Sequence, residues 1–247
     1  NLALGNYSIS RRNGDYTIVP AQTLLVKVSQ SQATTYGDTP AYNITAQYLS
    51  SSGAVINCTG SSSCSGPTTN NGGPITISDV PNGSSASFAA FTIGVQASAT
   101  DYSSAGSLSV GGYNLTSTNV TTFGNNFRAL TLVGSLTMKP KEISASSLGI
   151  QSVTKVYDGT TNINNDSIID VNRAQSQVRA GDQVAISATG LFANKNVGVN
   201  KSVTIDVSLS GLDAKNYTLP IDSQTQQSNG RFVNNIGTIT QLDSVSW

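Results

Sequence analysis

The chain has 247 residues and no net charge, with thirteen basic and thirteen acidic side chains, and it contains no histidine. Neutrality and a pI near 6.3 leave no electrostatic pull toward nucleic acid or anionic lipid. The missing imidazole removes the commonest general base and metal ligand, so the expectation is a protein that is not an enzyme and holds no metal or cofactor. Only 37% of residues are hydrophobic and 11% charged. Ser, Thr, Asn and Gly fill the difference, and these suit turns and strand faces that meet water.

In chain order, residues 16–19, 24–28, 41–48, 90–95, 130–133, 183–188 and 202–209 read as strands, several of them alternating apolar with polar positions. Turn signals separate them at Asn13-Gly14, Asn71-Gly72-Gly73-Pro74, Pro81-Asn82-Gly83, Gly111-Gly112, Gly181-Asp182 and Asn229-Gly230. No 12-residue stretch carries a helical stripe, although short helical turns fit near 166–174. Many short strands with regular turns predict an all-β protein built as a sandwich or barrel. No apolar run approaches the roughly 18 residues that cross a bilayer. The chain begins at Asn1 with no visible signal peptide, so it is expected to be an internal piece of a longer protein.

Cys58 and Cys64 flank a short Gly/Ser stretch. Two readings fit: a small disulfide-closed loop formed outside the cytosol, or two free thiols in a mobile loop. The disulfide is favoured, because two exposed thiols so close oxidise in a secreted setting. The spacing is too long for a redox CxxC, and a zinc site lacks further ligands.

The chain repeats itself. Gly5-Asn6-Tyr7-Ser8-Ile9 leads to a short Gly-started strand, and so do Gly112-Tyr113-Asn114-Leu115 and Lys215-Asn216-Tyr217-Thr218-Leu219. A second signature appears as Thr35-Tyr36-Gly37-Asp38-Thr39-Pro40 and as Val156-Tyr157-Asp158-Gly159-Thr160-Thr161. These marks divide the chain into 1–22, the end of a preceding repeat or strands completing the first domain, then 23–140 and 141–247. Short junctions near Pro20 and Pro140 predict stiff joints, since proline fixes φ.

Tyr36-Gly37-Asp38-Thr39-Pro40 followed by Gly134-Ser135-Leu136-Thr137-Met138-Lys139-Pro140 resembles the MBG type of bacterial repeat domain. Val156-Tyr157-Asp158-Gly159-Thr160-Thr161 resembles the opening of the YDG type. Gly181-Asp182-Gln183-Val184, Phe192-Ala193-Asn194-Lys195-Asn196-Val197-Gly198, Leu212-Asp213-Ala214-Lys215-Asn216-Tyr217 and Gly237-Thr238-Ile239-Thr240 resemble its later motifs. The YDG resemblance runs through nearly all of 141–243. The MBG one is interrupted by a Cys loop and Gly/Ser/Asn-rich insertions over 50–110. Such repeats occur in very large exported adhesins similar to filamentous haemagglutinin, often secreted by a two-partner route. The resemblance implies tandem Ig-like β-sandwich repeat domains without catalysis or cofactor, placed outside the cell or on the bacterial surface. It implies a monomeric stalk or presenting segment for cell-surface, cell–cell or biofilm attachment. Its partners would be adjacent repeats of the same chain and an outer-membrane secretion partner.

An alternative function is a module that binds glycan or a host or sibling-cell surface protein through loops in 50–125, since binding residues gather on loops of rigid scaffolds. Its candidate residues are Asn71, Tyr102, Tyr113 and Phe123, with the Cys58–Cys64 loop beside them. Tyr36 and Tyr157 fit glycan stacking less well than a role in which the hydroxyl caps a turn, because recurrence at matching positions points to a fold requirement. Lys27 is the best candidate for an isopeptide cross-link, against a reading as a solvent-facing lysine on an edge strand. Asn164-Asn165-Asp166 with Asp170, and Asp213 with Asp222, are the densest oxygen sources for calcium, against a simpler role in turns. Asn6, Asn43, Asn57, Asn82, Asn114, Asn119, Asn165, Asn200 and Asn216 open glycosylation sequons, with Asn216 read as structural.

Overall fold

A computed structural model describes residues 22–30, 32–61, 64–79, 87–163, 168–220 and 230–242. The expected strand at 16–19, the first repeat signature with Asn6, the turns at Asn13-Gly14 and Pro81-Asn82-Gly83, the Pro20 junction and segment 1–22 lie outside these, apart from Gln22. So do Asn164-Asn165-Asp166, Asp222 and Asn229. The described residues are mostly strand, so the all-β expectation holds.

The first ten strands are β1 (Thr23–Gln30), β2 (Thr34–Thr35), β3 (Tyr42–Leu49), β4 (Val55–Asn57), β5 (Cys64–Ser65), β6 (Thr69–Asn70), β7 (Pro74–Asp79), β8 (Ser87–Val95), β9 (Gly111–Phe123) and β10 (Ala129–Lys139). They hydrogen-bond in the order β4-β3-β1-β10-β9-β8-β7-β5. In β3, Tyr42, Ile44, Ala46 and Tyr48 are buried while the residues between them face outward, the period-2 pattern read in the sequence. The long strands β9 and β10 change partners midway. Residues 129–134 of β10 pair with β1 and 135–138 pair with β9, whose remaining length pairs with β8. This wraps the sheet around one core of Leu24, Val26, Ile44, Ile75, Ile77, Phe91, Phe127 and Leu136.

Two sequence expectations are corrected here. Lys27 does face solvent, but β1 is hydrogen-bonded on both sides, to β3 and β10, so it is a central strand. An isopeptide needs a lysine inside the core, and Lys27 is not there. Gly111-Gly112 is not a turn. The pair opens β9 opposite Met138 and Thr137. The absent side chain leaves room for the Tyr113 ring, whose hydroxyl would lie 3.1 Å from a Cβ at Gly111.

After Pro140 come β11 (Lys141–Glu142), α1 (Ala145–Leu148), β12 (Val153–Val156), β13 (Asn162–Ile163), α2 (Val171–Gln175), β14 (Ala185–Phe192), β15 (Gly198–Ser210), β16 (Tyr217–Thr218) and β17 (Arg231–Thr240). The helical turn expected near 166–174 is α2, capped by Asp170, whose carboxylate accepts the Arg173 N–H at 3.0 Å. Helix α1 carried no signal in the sequence, being a single turn held by Ser144 at its start and by Gly149, with φ +56°, at its end. A second core gathers Ile143, Leu148, Val153, Ile168, Ile169, Phe192, Val203, Ile205, Tyr217 and Phe232.

Strands β11 and β16 form a separate parallel pair, and the two larger sheets share one pairing path. In the first, β7-β8-β9-β10-β1 runs through three antiparallel pairings and closes with a parallel one. In the second, β13-β14-β15-β17-β12 does the same in the same chain order. The repetition read in the sequence is therefore also a repetition of topology.

Candidate functional site: the joint between the two sheets

Tyr36 leaves the first sheet after β2, and its backbone N–H donates to the Lys139 carbonyl at 2.8 Å. Its ring is only 1% exposed and belongs to the second core, not the first. It meets the Tyr217 ring edge-on, with centroids 5.5 Å apart at 71°. The Asp182 carboxylate lies between the two hydroxyls and accepts a hydrogen bond from each, both at 2.7 Å. A tyrosine hydroxyl has one proton, so the 2.6 Å contact of Tyr36 with Ser103 is a bond donated by the serine. Tyr217 likewise accepts the Arg179 N–H at 2.8 Å. Burial pushes both tyrosine pKa values up, and hydrogen bonding to Asp182 raises Tyr217 further.

A second contact runs along the loop between β8 and β9. The Ser104 N–H donates to Asp213 at 3.1 Å, and the Ala105 N–H to Asp182 at 3.3 Å. The Val110 N–H donates to the side-chain oxygen of Asn216 at 2.9 Å. Asp213 and Asn216 are buried, and Asp213 also accepts the Gln183 N–H at 2.7 Å. Burial alone would raise the Asp213 pKa, but the Gln183 and Ser104 donors and nearby Lys215 outweigh it and hold the carboxyl below its usual range. Gly181, with φ +95°, brings the second sheet so close that a Cβ there would lie 3.3 Å from the Ala105 Cβ. The arrangement is a clamp in which one sheet's loop backbone and one tyrosine meet carboxylate and amide acceptors fixed on the other. Asp182, Asp213, Asn216 and the two tyrosine hydroxyls each hold at least one hydrogen bond within the arrangement.

Beside the clamp lies a cleft of about 190 Å³ lined by Thr35, Tyr36, Gly37, Asp38, Lys141 and Arg179. That is below the roughly 300–1,000 Å³ of small-molecule pockets.

The four candidate ligand residues do not converge. Tyr102 is exposed and bridges to Leu108 near the joint, and Tyr113, whose hydroxyl donates to the Ser109 carbonyl at 2.8 Å, packs partly on the first core. Phe123 stacks on Phe88 at the other end of β9, about 30 Å away at the usual strand rise. Asn71 sits in the turn between β6 and β7, where the Asn70 side chain accepts the Gly72 N–H.

Cys58 and Cys64 form a disulfide. The favoured disulfide reading therefore holds, and both cysteine side chains are buried members of the first core, although Gly60 between them is exposed. Tyr36 is excluded as a glycan platform by its burial, whereas Tyr157 is 37% exposed. Asp213, a calcium candidate, is committed to backbone donors. Among the described residues no group of three or more acidic or cysteine side chains is placed to hold a metal. Asn216 is fully buried and serves the clamp, while Asn43, Asn57, Asn114, Asn119 and Asn200 are exposed.

A YDG domain is found at residues 139–227. Asp182, Asp213, Asn216 and Tyr217, the acceptor side of the clamp, all lie within it. Comparison with curated proteins and with solved structures returned no match.

Proposed function

We propose that the chain is a load-bearing stalk segment of an exported bacterial adhesin, with no catalytic role. Its two sheets are read as tandem Ig-like sandwich units, the first of MBG type and the second of YDG type, divided near Pro140. The location is extracellular or at the bacterial surface. The observation that carries this reading is the clamp: Tyr36 of the first unit is a core residue of the second. A ring buried across a joint resists bending, because opening the joint exposes it and breaks the Asp182 bonds together. The parallel strand pairs at the joint, β2 with the end of β10 and β11 with β16, carry tension along the chain. The alternative of a ligand-binding module is weakened because the loop from 101 to 110 is spent on the joint and the other candidates are scattered.

Residual dipolar couplings of the purified chain test the proposal. One alignment tensor should fit both units, and Asp182→Ala should split it into two. Two independent tensors in the unsubstituted chain would remove the stalk reading. A specific glycan bound on an array, and lost on reduction of the disulfide, would replace it with the binding module.

A further inference from the structure

The tyrosine turn that the first unit contributes to the joint has a counterpart at the far end of the second unit. Tyr36 follows a parallel pairing with the end of β10, Thr35 opposite Lys139, and donates its N–H to Lys139. Tyr157 follows Val156 opposite Thr240 at the end of β17 and donates its N–H to Thr240 at 2.9 Å. Each tyrosine is followed by a tight turn with a left-handed glycine, Gly37 at φ +89° and Gly159 at φ +80°. By the shared pairing path, the clamp loop between β8 and β9 has the same place as the much shorter loop between β14 and β15, residues 193–197.

The surroundings differ. At the first joint these parts are covered by the second unit. At the far pole they are bare, and apolar side chains collect there: Val156 at 52% exposed, Val197 at 48%, Val199 at 71% and Leu242 at 69%, beside Tyr157. Register places them together, because Gly198 lies opposite Ile239 and Val156 opposite Thr240. A soluble surface rarely gathers apolar side chains in this way without a partner.

We infer that this pole is a docking face for a following β unit of the same kind in a longer chain, with Tyr157 entering a socket like the one Asp182 and Tyr217 offer Tyr36. The inference rests on the stalk reading and names its next partner. A second copy of this chain is a poor occupant, since its own Asp182–Tyr217 socket is filled by Tyr36.

The test lengthens the full chain: residues 1–242 are followed directly by a copy of residues 142–247, which keeps Leu242 and sets Thr240-Gln241-Leu242 in the phase of Lys139-Pro140-Lys141. Nitration of Tyr157 by tetranitromethane is followed by mass spectrometry. The Tyr157 rate should fall about tenfold or more in the lengthened chain, corresponding to docking by about 1.4 kcal/mol. Asp182→Asn carried only in the appended copy, or Val199→Ser at the exposed pole, should restore it. An unchanged Tyr157 rate overturns the inference. Amide exchange at Ser104 and Ala105 in the same samples keeps the two readings apart: protection there with a reactive Tyr157 sinks only the docking face, while fast exchange there sinks the stalk as well. Protection of Tyr157 that grows with concentration in the unlengthened chain also overturns the inference, because a second copy would then cover the pole.

Discussion

Tyr36 and Tyr157 hold matching backbone positions, and their chemistry diverges through what packs on the ring. Tyr36→Phe keeps the ring but removes the hydroxyl that serves Asp182 and Ser103. Two groups at a buried joint then lose a partner, and urea unfolding should show a loss of about 1–3 kcal/mol. The turn after Tyr157 depends on charge instead. Asp158 accepts the Thr160 N–H and hydroxyl, both at 2.9 Å, and pairs with Lys155 at 2.7 Å. The Lys155 ammonium, ahead of the Thr160 donors, pushes the Asp158 carboxyl down from 3.8 to about 2. A depressed carboxyl stabilises the fold above its unfolded pKa, and this is lost as pH falls from 3.8 through about 2. Carboxyl-carbon NMR should place the Asp158 midpoint near that lower value, and Lys155→Met should move it up toward the ordinary range. The Tyr–Gly/Asp signature was readable as a turn in both copies. Which ring is buried was not, since burial of Tyr36 comes from residues 146 and 181 positions downstream, Asp182 and Tyr217.

At the scale of elements, the parallel pair β1–β10 closes the first sheet, and Gly134 sits opposite Val28 within it. A Cβ at Gly134 would lie 2.3 Å from the Val28 carbonyl oxygen, a backbone atom that cannot turn aside. Gly134→Ala should therefore force the strands apart and cost about 1–3 kcal/mol in urea unfolding. Val133→Ala on the same strand, only partly buried, is the control with the smaller loss. Strands β3, β14 and β15 were legible because one face is apolar and the other polar, so alternation shows directly. Strand β9 was not read as a strand at all, and its first two residues were taken for a turn. Its middle, Thr116 to Thr122, is Ser, Thr, Asn and one exposed valine with no buried side chain, so only its hydrogen bonds to β8 and β10 define it. The disulfide was legible from spacing, but its place in the core was not, because flanking Gly and Ser suggest an exposed loop.

For the whole molecule, two cores meet through tyrosine hydroxyls, and stability should follow their ionisation. Burial, with Asp79 beside Tyr48 and Asp182 beside Tyr217, raises these pKa values above 10.0. The sign is that of a raised acid: its stabilisation is complete below the unfolded pKa of 10.0 and is lost as pH climbs toward the folded value. Urea midpoints should stay level up to about pH 9 and fall above about pH 10, with tyrosinate absorbance appearing as the chain unfolds. The period-2 strands such as β3, the left-handed glycines Gly37 and Gly159 and the YDG motifs are local patterns, and the sequence by itself determined them, because period-2 burial and left-handed backbone each mark neighbouring residues. The central place of β1, the buried disulfide and the clamp of Tyr36 with Asp182, Asp213 and Asn216 were decided only by tertiary structure. Each depends on which distant segments come within hydrogen-bonding reach, and a bond between residues more than a hundred positions apart leaves no periodic trace along the chain.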